Sequence, residues 1–337
     1  MYKVWGFGSA AVDIRITTAD YGENYRDKLL AREMLVLGGG ACANCLTQIA
    51  RLGGKAGWLG KLGMDGFGRQ IVASLRSEGI DCSRIAYCDD CSPFNVAIYA
   101  GEQKRRVGGF LLPNTLASLT DEELTRLASV PAAGDWLAME IGEIPLEHCL
   151  TLARRAKERG VRVAIDVDLD PIRQCGGTQE QVEALFALSD LLIPNVVALS
   201  SLYAADGAED LCRRLYAACG VPVVTTAGAD GAYFMDTDGV LHRQAALPTD
   251  VIDTVGAGDA FHGGLLQGVA EGLPLSDAVA LGTVCASLNC TAFGAREGMP
   301  TRAQAAAHIA SCADTLPATL VSRMQQQTLG KEETDSE

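Results

Sequence analysis

The feature of the sequence that most constrains its fold is an alternation of short apolar segments with amphipathic ones. Six short segments are almost entirely apolar, which is typical of strands buried on both faces of a sheet. They are VWGFG (4–8), KAGWLG (55–60), DWLAM (135–139), VRVAIDV (161–167), DLLIPN (190–195) and VPVVTTA (221–227). Most of the segments between them have helical apolar spacing, for example PLEHCLTLARRAKERG at 145–160. The sequence therefore predicts an α/β fold in which a mostly parallel sheet is covered by helices on both faces.

Two regions break this alternation. DIRITTADYGENY (13–25) and FNVAIYAGEQKRRVGGFLL (94–112) predict strands joined by polar turns, with no crossover helix between them. We expect a single domain over residues 1–324 with a small β-sheet inserted in it, built from segments of about 13–36 and 92–112. This small sheet, called the lid below, would cover the site.

Composition and charge narrow the class of protein. The net charge of −14 disfavours nucleic acid or an anionic membrane as the main partner, because both are themselves anionic. The longest apolar runs are only as long as strands, so no membrane span is expected, and the start of the chain does not resemble a signal peptide. We therefore expect a soluble, cytoplasmic protein. The polar tail QQQTLGKEETDSE (325–337) is expected to be disordered.

Twelve cysteines are spread along the chain, and four of them form two CxxC pairs, CANC at 42–45 and CDDC at 88–91. A zinc site would need the two pairs to meet, usually with each pair on a tight turn. The first pair instead lies in ACANCLTQIARLG, which has helical apolar spacing. Thiols in a reducing compartment are therefore the favoured interpretation, and zinc is the alternative.

Two glycine-rich segments run into helical patterns, LGGGACAN at 37–44 and DTVGAGDAFHGGLLQGVAEG at 253–272. Backbone N–H groups at such helix starts lack intrahelical partners and attract anions, above all phosphate. A tight turn that merely requires glycine is the simpler alternative. A dinucleotide fingerprint would need a glycine where Phe261 stands, and LGKLG at 59–63 lacks residues that a P-loop requires.

One acid, Asp259, stands at the start of the second of these helices. As a helix-stabilising acid alone, it would contribute a few tenths to about 1 kcal/mol of stability. A turn that binds a migrating phosphoryl group can also carry the base that takes the proton of the attacking hydroxyl. The segment therefore points to phosphoryl transfer, with Asp259 as the general base.

DTVGAGDAF and GGGACANCLTQIARLGGKAGWLGKLGMDGFG together resemble the two motifs of the ribokinase-like (PfkB) carbohydrate kinase family. The resemblance extends from GSAAVD at 8–13 to FGAREGMP at 293–300. It implies a ribokinase-like three-layer α/β/α core of nine or ten strands, a β-sheet lid, ATP as phosphoryl donor and Mg²⁺. A monovalent cation such as K⁺ is a further candidate cofactor.

The same resemblance implies roles for individual residues. It makes Asp259 the catalytic base. The implied anion hole is the backbone of Gly256, Ala257 and Gly258. Residues implied to face the substrate are Asp13, Gly39, Gly40 and Asn44, and those implied to face the nucleotide are Asn195, Thr226, Gly228 and Gly231.

The chain departs from the family at one position. Members usually carry Asn-x-x-Glu, whose Glu helps to organise magnesium, whereas this chain has NVVA at 195–198. Mg²⁺ binds through few carboxylates together with phosphates and waters, so one replacement acid could suffice. Candidates are Asp166, Asp168 and Asp170 in IDVDLDP, and solvated loop acids are the alternative interpretation.

The polar residues favour an unphosphorylated sugar as substrate, with a ketohexose or pentose ahead of a nucleoside. Asp13, Asn44 and Glu140 suit the hydroxyls of a neutral polyol, whereas acids would repel a phosphate. The basic run KRR at 104–106 is the alternative, as a contact for a phosphorylated substrate, although such a run is usually a solvated turn. An aromatic content of 6% weakens the nucleoside interpretation, because purines are commonly held by stacking.

Three alternative functions stay open, and the chain is expected to pair with a second copy of itself. The chain could be a nucleoside or keto-sugar-acid kinase of the same family, or a non-catalytic carbohydrate sensor, which the missing Glu favours. A nicotinamide-dependent dehydrogenase is weakened by Phe261. We expect a homodimer formed through the lid, because a small sheet carrying FNVAIY (94–99) would expose an apolar face and open edges.

Overall fold

The computed structural model describes residues 3–19, 29–101, 105–111 and 114–334. In chain order, the strands within these ranges are β1 (Lys3–Phe7), β2 (Ala11–Thr18), β3 (Ala31–Gly39), β4 (Lys55–Trp58), β5 (Lys61–Gly63), β6 (Ala86–Cys88), β7 (Phe94–Ala100), β8 (Arg105–Leu111), β9 (Trp136–Ile141), β10 (Arg162–Val167), β11 (Leu191–Pro194), β12 (Val223–Thr226), β13 (Ala232–Met235) and β14 (Leu241–Gln244). The helices are α1 (Ala41–Arg51), α2 (Gly66–Ser77), α3 (Asp121–Ala128), α4 (Leu146–Glu158), α5 (Gln179–Phe186), α6 (Val196–Tyr203), α7 (Gly207–Cys219), α8 (Ala257–Ala270), α9 (Leu275–Asn289), α10 (Arg302–Ser311) and α11 (Ala318–Thr334).

The central sheet has eight strands in the order β14-β13-β12-β11-β10-β9-β1-β4. All neighbours from β4 to β12 are parallel, and β13 and β14 close one edge as antiparallel strands. The predicted mostly parallel α/β sheet is therefore confirmed. The family resemblance implies nine or ten strands, whereas the described residues place eight here, because β5 and β6 pair with each other in a separate small sheet.

Helices cover both faces of the central sheet, which makes three layers. On one face α1, α8 and α9 enclose an apolar cluster that includes Leu46, Leu265 and Leu281. On the other face α4, α5 and α7 enclose a second cluster that includes Leu152 and Leu215. The central strands read as continuous apolar runs because both of their faces are buried in this way.

The lid is a four-stranded sheet in the order β3-β2-β7-β8. In its register Asp13 lies opposite both Asn95 and Leu37. Because side chains alternate between faces, Asp13 and Arg15 share one face, and Arg15 Nη1 lies 3.8 Å from a carboxylate oxygen of Asp253 in the core. The predicted small lid sheet is confirmed, although residues 20–28, 102–104 and 112 of its expected segments lie outside the described residues.

The last helix, α11, runs into the polar tail. Leu320 and Met324 are buried against the core and anchor its first half. Gln, Lys and Glu, which are good helix formers, continue it, so the backbone of 325–334 is helical although the sequence predicts disorder for 325–337. The boundary at residue 324 stays a prediction. No helix among the described residues is long and apolar enough to cross a membrane.

Candidate active site

The turn before α8 is built around a left-handed glycine. Gly256 has φ 78°, and a Cβ there would lie 2.1 Å from the carbonyl oxygen of Ala295, so only glycine fits. Asp253 fixes the approach to the turn, because its side chain accepts hydrogen bonds from the backbone N–H groups of Val255 (3.1 Å) and Gly294 (3.1 Å). The turn is therefore tied to the chain that follows α9.

The first turn of α8 contains backbone donors that have no partner within the helix. The N–H of Ala257 donates to the carbonyl of Thr254 at 3.2 Å, so it is already used. The N–H groups of Gly258 and Asp259 stand where a helix offers them no carbonyl. A Cβ on Gly258 would meet nothing within 4 Å. The positive end of a helix suits a phosphate group, so Gly258 fits the anion hole that the resemblance implies. The N–H of Ala257 is bonded to Thr254 instead, and the N–H of Asp259 is the neighbouring donor without a helical partner.

Asp259 lies in this turn and points toward α1. Its Oδ2 accepts a hydrogen bond of 2.7 Å from Nδ2 of Asn44. Burial raises the pKa of Asp259 to about 6, while the Asn44 bond and the charge of His262 oppose that rise. A carboxylate with this pKa is mostly ionised at neutral pH and still accepts a proton readily, which is what a general base requires.

Asn44 is held in turn by an arginine that the sequence analysis did not identify. The Nε of Arg296 donates to Oδ1 of Asn44, and the arginine side chain is buried, with 7% of its surface exposed. Its Nη2 donates to the carbonyl oxygen of Gly39 at 3.0 Å, and its Nη1 to the hydroxyl of Ser74 at 3.2 Å. The only sign in the sequence is a single arginine in FGAREGMP, which does not reveal these partners.

The predicted substrate-facing residues meet where the lid joins the core. Nδ2 of Asn95 donates to Oδ1 of Asp13 at 2.8 Å. A Cβ on Gly39 would lie 2.3 Å from the carboxylate carbon of Asp13, so glycine permits this close approach. Gly40 has φ 91° and precedes α1, whose first turn carries Asn44. The structure therefore brings these predicted residues into one connected group.

Glu140, also predicted to face the substrate, lies under the start of α1. Its carboxylate accepts hydrogen bonds from the backbone N–H groups of Ser9 (2.8 Å) and Cys42 (3.0 Å) and from the Ser9 hydroxyl. Burial, reinforced by the charge of Asp168, raises its pKa to about 8. Support of α1 thus explains the position of Glu140, and a contact with substrate stays a prediction.

The three acids considered for magnesium have different surroundings. Asp166 Oδ2 lies 2.8 Å from Nδ1 of His262. Burial lowers the pKa of this imidazole, but Asp166 together with Asp259 and Asp168 outweighs burial, and the pKa is raised. Burial and then the charge of Asp166 raise the pKa of Asp168, which Asn195 hydrogen-bonds. Asp170 instead accepts two N–H bonds within its own turn. His262 belongs to the quoted motif, but the sequence did not single it out.

The residues predicted to face the nucleotide lie at or after the carboxyl ends of β11 and β12. Thr226 ends β12, which is next to β11, the strand that leads into Asn195. Gly228 has φ 55° and is exposed. Gly231 has φ 95°, and a Cβ there would lie 2.0 Å from the carbonyl oxygen of Gln244. The chain itself therefore explains Gly231, whereas Thr226 and Gly228 are placed where a ligand could reach them.

The cysteines are all free thiols. Cys42 and Cys45 are buried in α1, whereas Cys91 is exposed in the loop after β6. Across the described part of the chain, no group of three or more His, Cys, Asp or Glu side chains is arranged to hold a metal ion.

Comparison with known proteins identifies the family. Residues 1–302 match the model of the pfkB family of carbohydrate kinases, so the chain belongs to that family. It is similar to a fructokinase of Salmonella typhimurium, 30% identical over 88% of this chain and 96% of the relative. It is also similar to the aminoimidazole riboside kinase of Salmonella typhimurium strain LT2, 29% identical over 89% of this chain and 92% of the relative.

A solved structure confirms the fold. The structure of Arabidopsis thaliana ribokinase complexed with ribose and ATP superposes with a TM-score of 0.75 at 23% identity, over 90% of this chain and 97% of the other. The predicted ribokinase-like fold is thereby confirmed. The family membership and the similarity to the curated kinases confirm the predicted class, phosphotransferases with an alcohol group as acceptor.

Proposed function

We propose that the protein transfers the γ-phosphoryl group of ATP to a hydroxymethyl group of a small sugar. The observation that carries the proposal is the arrangement around Asp259. A carboxylate with a pKa of about 6 stands in the first turn of a helix, beside backbone N–H groups that have no carbonyl partner within the helix. A proton acceptor and an anion site are thus adjacent within one turn, as phosphoryl transfer requires.

In the proposed reaction Asp259 takes the proton of the sugar hydroxymethyl group while its oxygen attacks the γ-phosphorus. The new O–P bond forms as the bond to ADP breaks, and the proton stays on the Asp259 carboxylate. The N–H groups of Gly258 and Asp259, at the positive end of α8, stabilise the charge that develops on the phosphoryl oxygens. Asn44 fixes the base through its 2.7 Å hydrogen bond.

Residues at the rim of the central sheet, where β10 and β11 end, fit a magnesium ion. Asp168 has a raised pKa because it is buried beside Asp166, and such crowding of acids favours a bound cation. Asn195 lies next to it, and oxygen donors of these kinds complete a Mg²⁺ shell together with phosphates and waters. Asp168 is our candidate for the acid that replaces the family Glu, absent at Ala198. Mg²⁺ would neutralise phosphate charge, and activation by K⁺ stays a prediction.

The group around Asp13 supports a neutral sugar. The carboxylate of Asp13, oriented by Asn95 at 2.8 Å, offers oxygens to substrate hydroxyls. The family relationship and the similarity to a fructokinase favour a ketohexose or pentose. The similarity to an aminoimidazole riboside kinase keeps a nucleoside open as the second candidate, with a keto-sugar acid as the third.

The test is an ATP-consumption assay with Mg²⁺ over sugars, nucleosides and keto-sugar acids, with Asp259→Asn as a matched blank. We expect ketohexoses or pentoses to accelerate ADP formation and the variant to abolish the effect. If no compound accelerates ADP formation while calorimetry shows that sugars bind the folded protein, the protein is a carbohydrate sensor.

We also propose a homodimer through the outer face of the lid, the face opposite Asp13. Met34, Val36 and Phe110 lie on this face and are 62%, 40% and 70% exposed. Contiguous exposed apolar side chains on a small sheet usually mark an association surface. A second copy offers the same apolar face, so a two-fold contact is self-complementary.

A further inference from the structure

We propose that Arg296 is a positioning residue that sets the orientation of the Asn44 side chain and so keeps Asp259 ionised as the base. This inference rests on the proposed function, because that function makes Asp259 the general base. Arg296 is not placed to touch the substrate, since its described bonds go to Asn44, Gly39 and Ser74.

The first step of the argument concerns donors and acceptors. A guanidinium carries only donors, so Nε of Arg296 can bond only to the oxygen of the Asn44 amide. The amide nitrogen must then point the other way, where it lies 2.7 Å from Oδ2 of Asp259. The reverse orientation would set an amide oxygen against a carboxylate, and the two would repel. Arg296 therefore selects the one orientation that stabilises charged Asp259.

The second step concerns what holds the guanidinium itself. Its Nη2 is bound to Gly39 at the end of β3 (3.0 Å), and its Nη1 to Ser74 on α2 (3.2 Å). With 7% exposure the side chain has little room to turn away. A planar fork that serves three acceptors at once cannot be matched by lysine, which has one nitrogen.

The third step concerns the other groups near Asp259. Burial, and to a smaller extent the charges of Asp166 and Asp168, raise the pKa of Asp259, and the Asn44 bond is the strongest influence in the opposite direction. The charged or titratable groups that face Asp259 are His262 on its own helix, Asp166 in β10, Asp168 just after β10, Cys42 and Cys45 on α1, and Arg296. None of these others makes a hydrogen bond to Asp259 among the described contacts. Among these influences on the pKa of Asp259, the orientation of the Asn44 side chain is therefore the one that Arg296 can change.

The experiment measures kcat against pH for Arg296→Lys and Arg296→Met. Activity is lost as pH falls through the pKa of the base, so a higher pKa moves this acid limb upward. We expect an upward shift of about one pH unit, hence a fall in kcat of about ten-fold at pH 5 and near convergence with the wild type at pH 8. The KM for ATP should change by less than about two-fold, because the anion-binding donors belong to the backbone.

Arg302→Lys is the matched control. Arg302 is partly buried, whereas Arg296 is buried, and Arg302 likewise bonds to a backbone carbonyl, that of Leu52 (2.6 Å), and to Glu271, away from the site. Its loss should lower the melting temperature and leave the acid limb in place. In an Asn44→Leu background the Arg296→Lys change should shift the limb no further, because the amide through which Arg296 acts is gone.

A second measurement does not depend on activity. The ¹³C carboxyl signal of Asp259, assigned by its absence in Asp259→Asn, should titrate at higher pH in Arg296→Lys than in the wild type. An unmoved titration, or an acid limb at the wild-type pH, overturns the role of Arg296. If Asp259→Asn keeps wild-type turnover, the proposed base fails instead, and the titration still decides what Arg296 does.

Discussion

Polar side chains at the rim of the central sheet, the region of Asp259, Asn44 and Arg296, are bonded within the chain, whereas apolar side chains on the outer face of the lid are exposed. At the rim, charged and polar groups are bonded to one another, Asp259 to Asn44 and Asn44 to Arg296. On the outer face of the lid, apolar side chains such as Met34 and Phe110 meet water. The hydrogen bonds of the rim are made within one chain, whereas the apolar side chains of the lid face would be buried only against a partner. Substitutions should therefore affect chemistry at the rim and association at the lid.

The largest effect should follow from Asp259→Asn at the rim. The variant keeps the size of the side chain and removes the proton acceptor, so kcat should fall by roughly 10²–10⁴. ATP affinity should stay level or rise, because the N–H groups of the turn remain and one negative charge beside the phosphate is lost. Turnover and ATP binding measured on the same preparation check this.

A merely helix-stabilising acid would behave differently. Its loss would lower the free energy of unfolding by about 1 kcal/mol at most and leave turnover almost unchanged. Near-wild-type turnover in Asp259→Asn would therefore show that Asp259 at the rim is not the catalytic base.

The next effect concerns the two ends of α8. Gly256→Ala and Gly272→Ala both place a Cβ at positive φ, 78° and 77°, but only the first would meet an obstacle, the carbonyl oxygen of Ala295 at 2.1 Å. We expect Gly272→Ala to lower the free energy of unfolding by about 1–2 kcal/mol. Gly256→Ala should cost more and also reduce turnover, because the anion-binding turn must shift. Urea unfolding and turnover of both variants measure this, and equal losses of stability would contradict it.

The features of the rim that depend on neighbouring residues in the chain can be predicted from the sequence. Buried strands flanked by helices predict the sheet, since a strand covered on both faces is apolar throughout. The glycine-rich turn and Asp259 are found because their functions depend on neighbours within one turn of chain.

Contacts between distant segments could not be predicted in this way. Arg296 and Asn44 are 252 residues apart, and nothing in either segment names the other. The pair of Asp166 and His262 likewise exists only after β10 and α8 are packed together. The sequence predicts Glu140 as a residue that suits the hydroxyls of a polyol, but its support of α1 depends on where Ser9 and Cys42 lie.

At the lid, Phe110→Glu and Met34→Glu should break the proposed dimer. A charge buried in an apolar interface is strongly unfavourable, so light scattering at micromolar concentration should give the monomer mass. We expect kcat to fall by less than about ten-fold, because the rim is intact. Val240→Glu is the matched control, since Val240 is 52% exposed on the loop between β13 and β14. A monomeric wild type, or equal dissociation in the control, would show that the lid face needs no partner.

The smallest effect lies at the joint between the two regions. Asp65 accepts hydrogen bonds from the N–H of Gly68, at the start of α2, and from the N–H of Ser92, which leads into the lid strand β7, each at 2.7 Å. Burial alone would raise its pKa, but these bonds, together with the side chains of Ser92 and Cys91, outweigh burial and lower the pKa to about 2. Asp65→Ala should therefore lower the free energy of unfolding by about 1–2 kcal/mol at neutral pH.

The sign of its pH dependence follows from the lowered pKa. The unfolded chain binds the proton near pH 4 and the folded chain only near pH 2, so the stabilisation is complete above about pH 4 and is lost as pH falls toward 2. The difference in stability between wild type and Asp65→Ala should shrink over that range, as urea unfolding at several pH values would show. Asp65→Asn should retain the helix cap at Gly68 without this pH dependence, because an amide oxygen does not titrate in this range. It should lose the bond to Ser92, because the two bonds use different carboxylate oxygens and an amide has only one oxygen. A difference that stays constant down to pH 2.5 would mean that the carboxylate charge contributes nothing to joining the lid to the core.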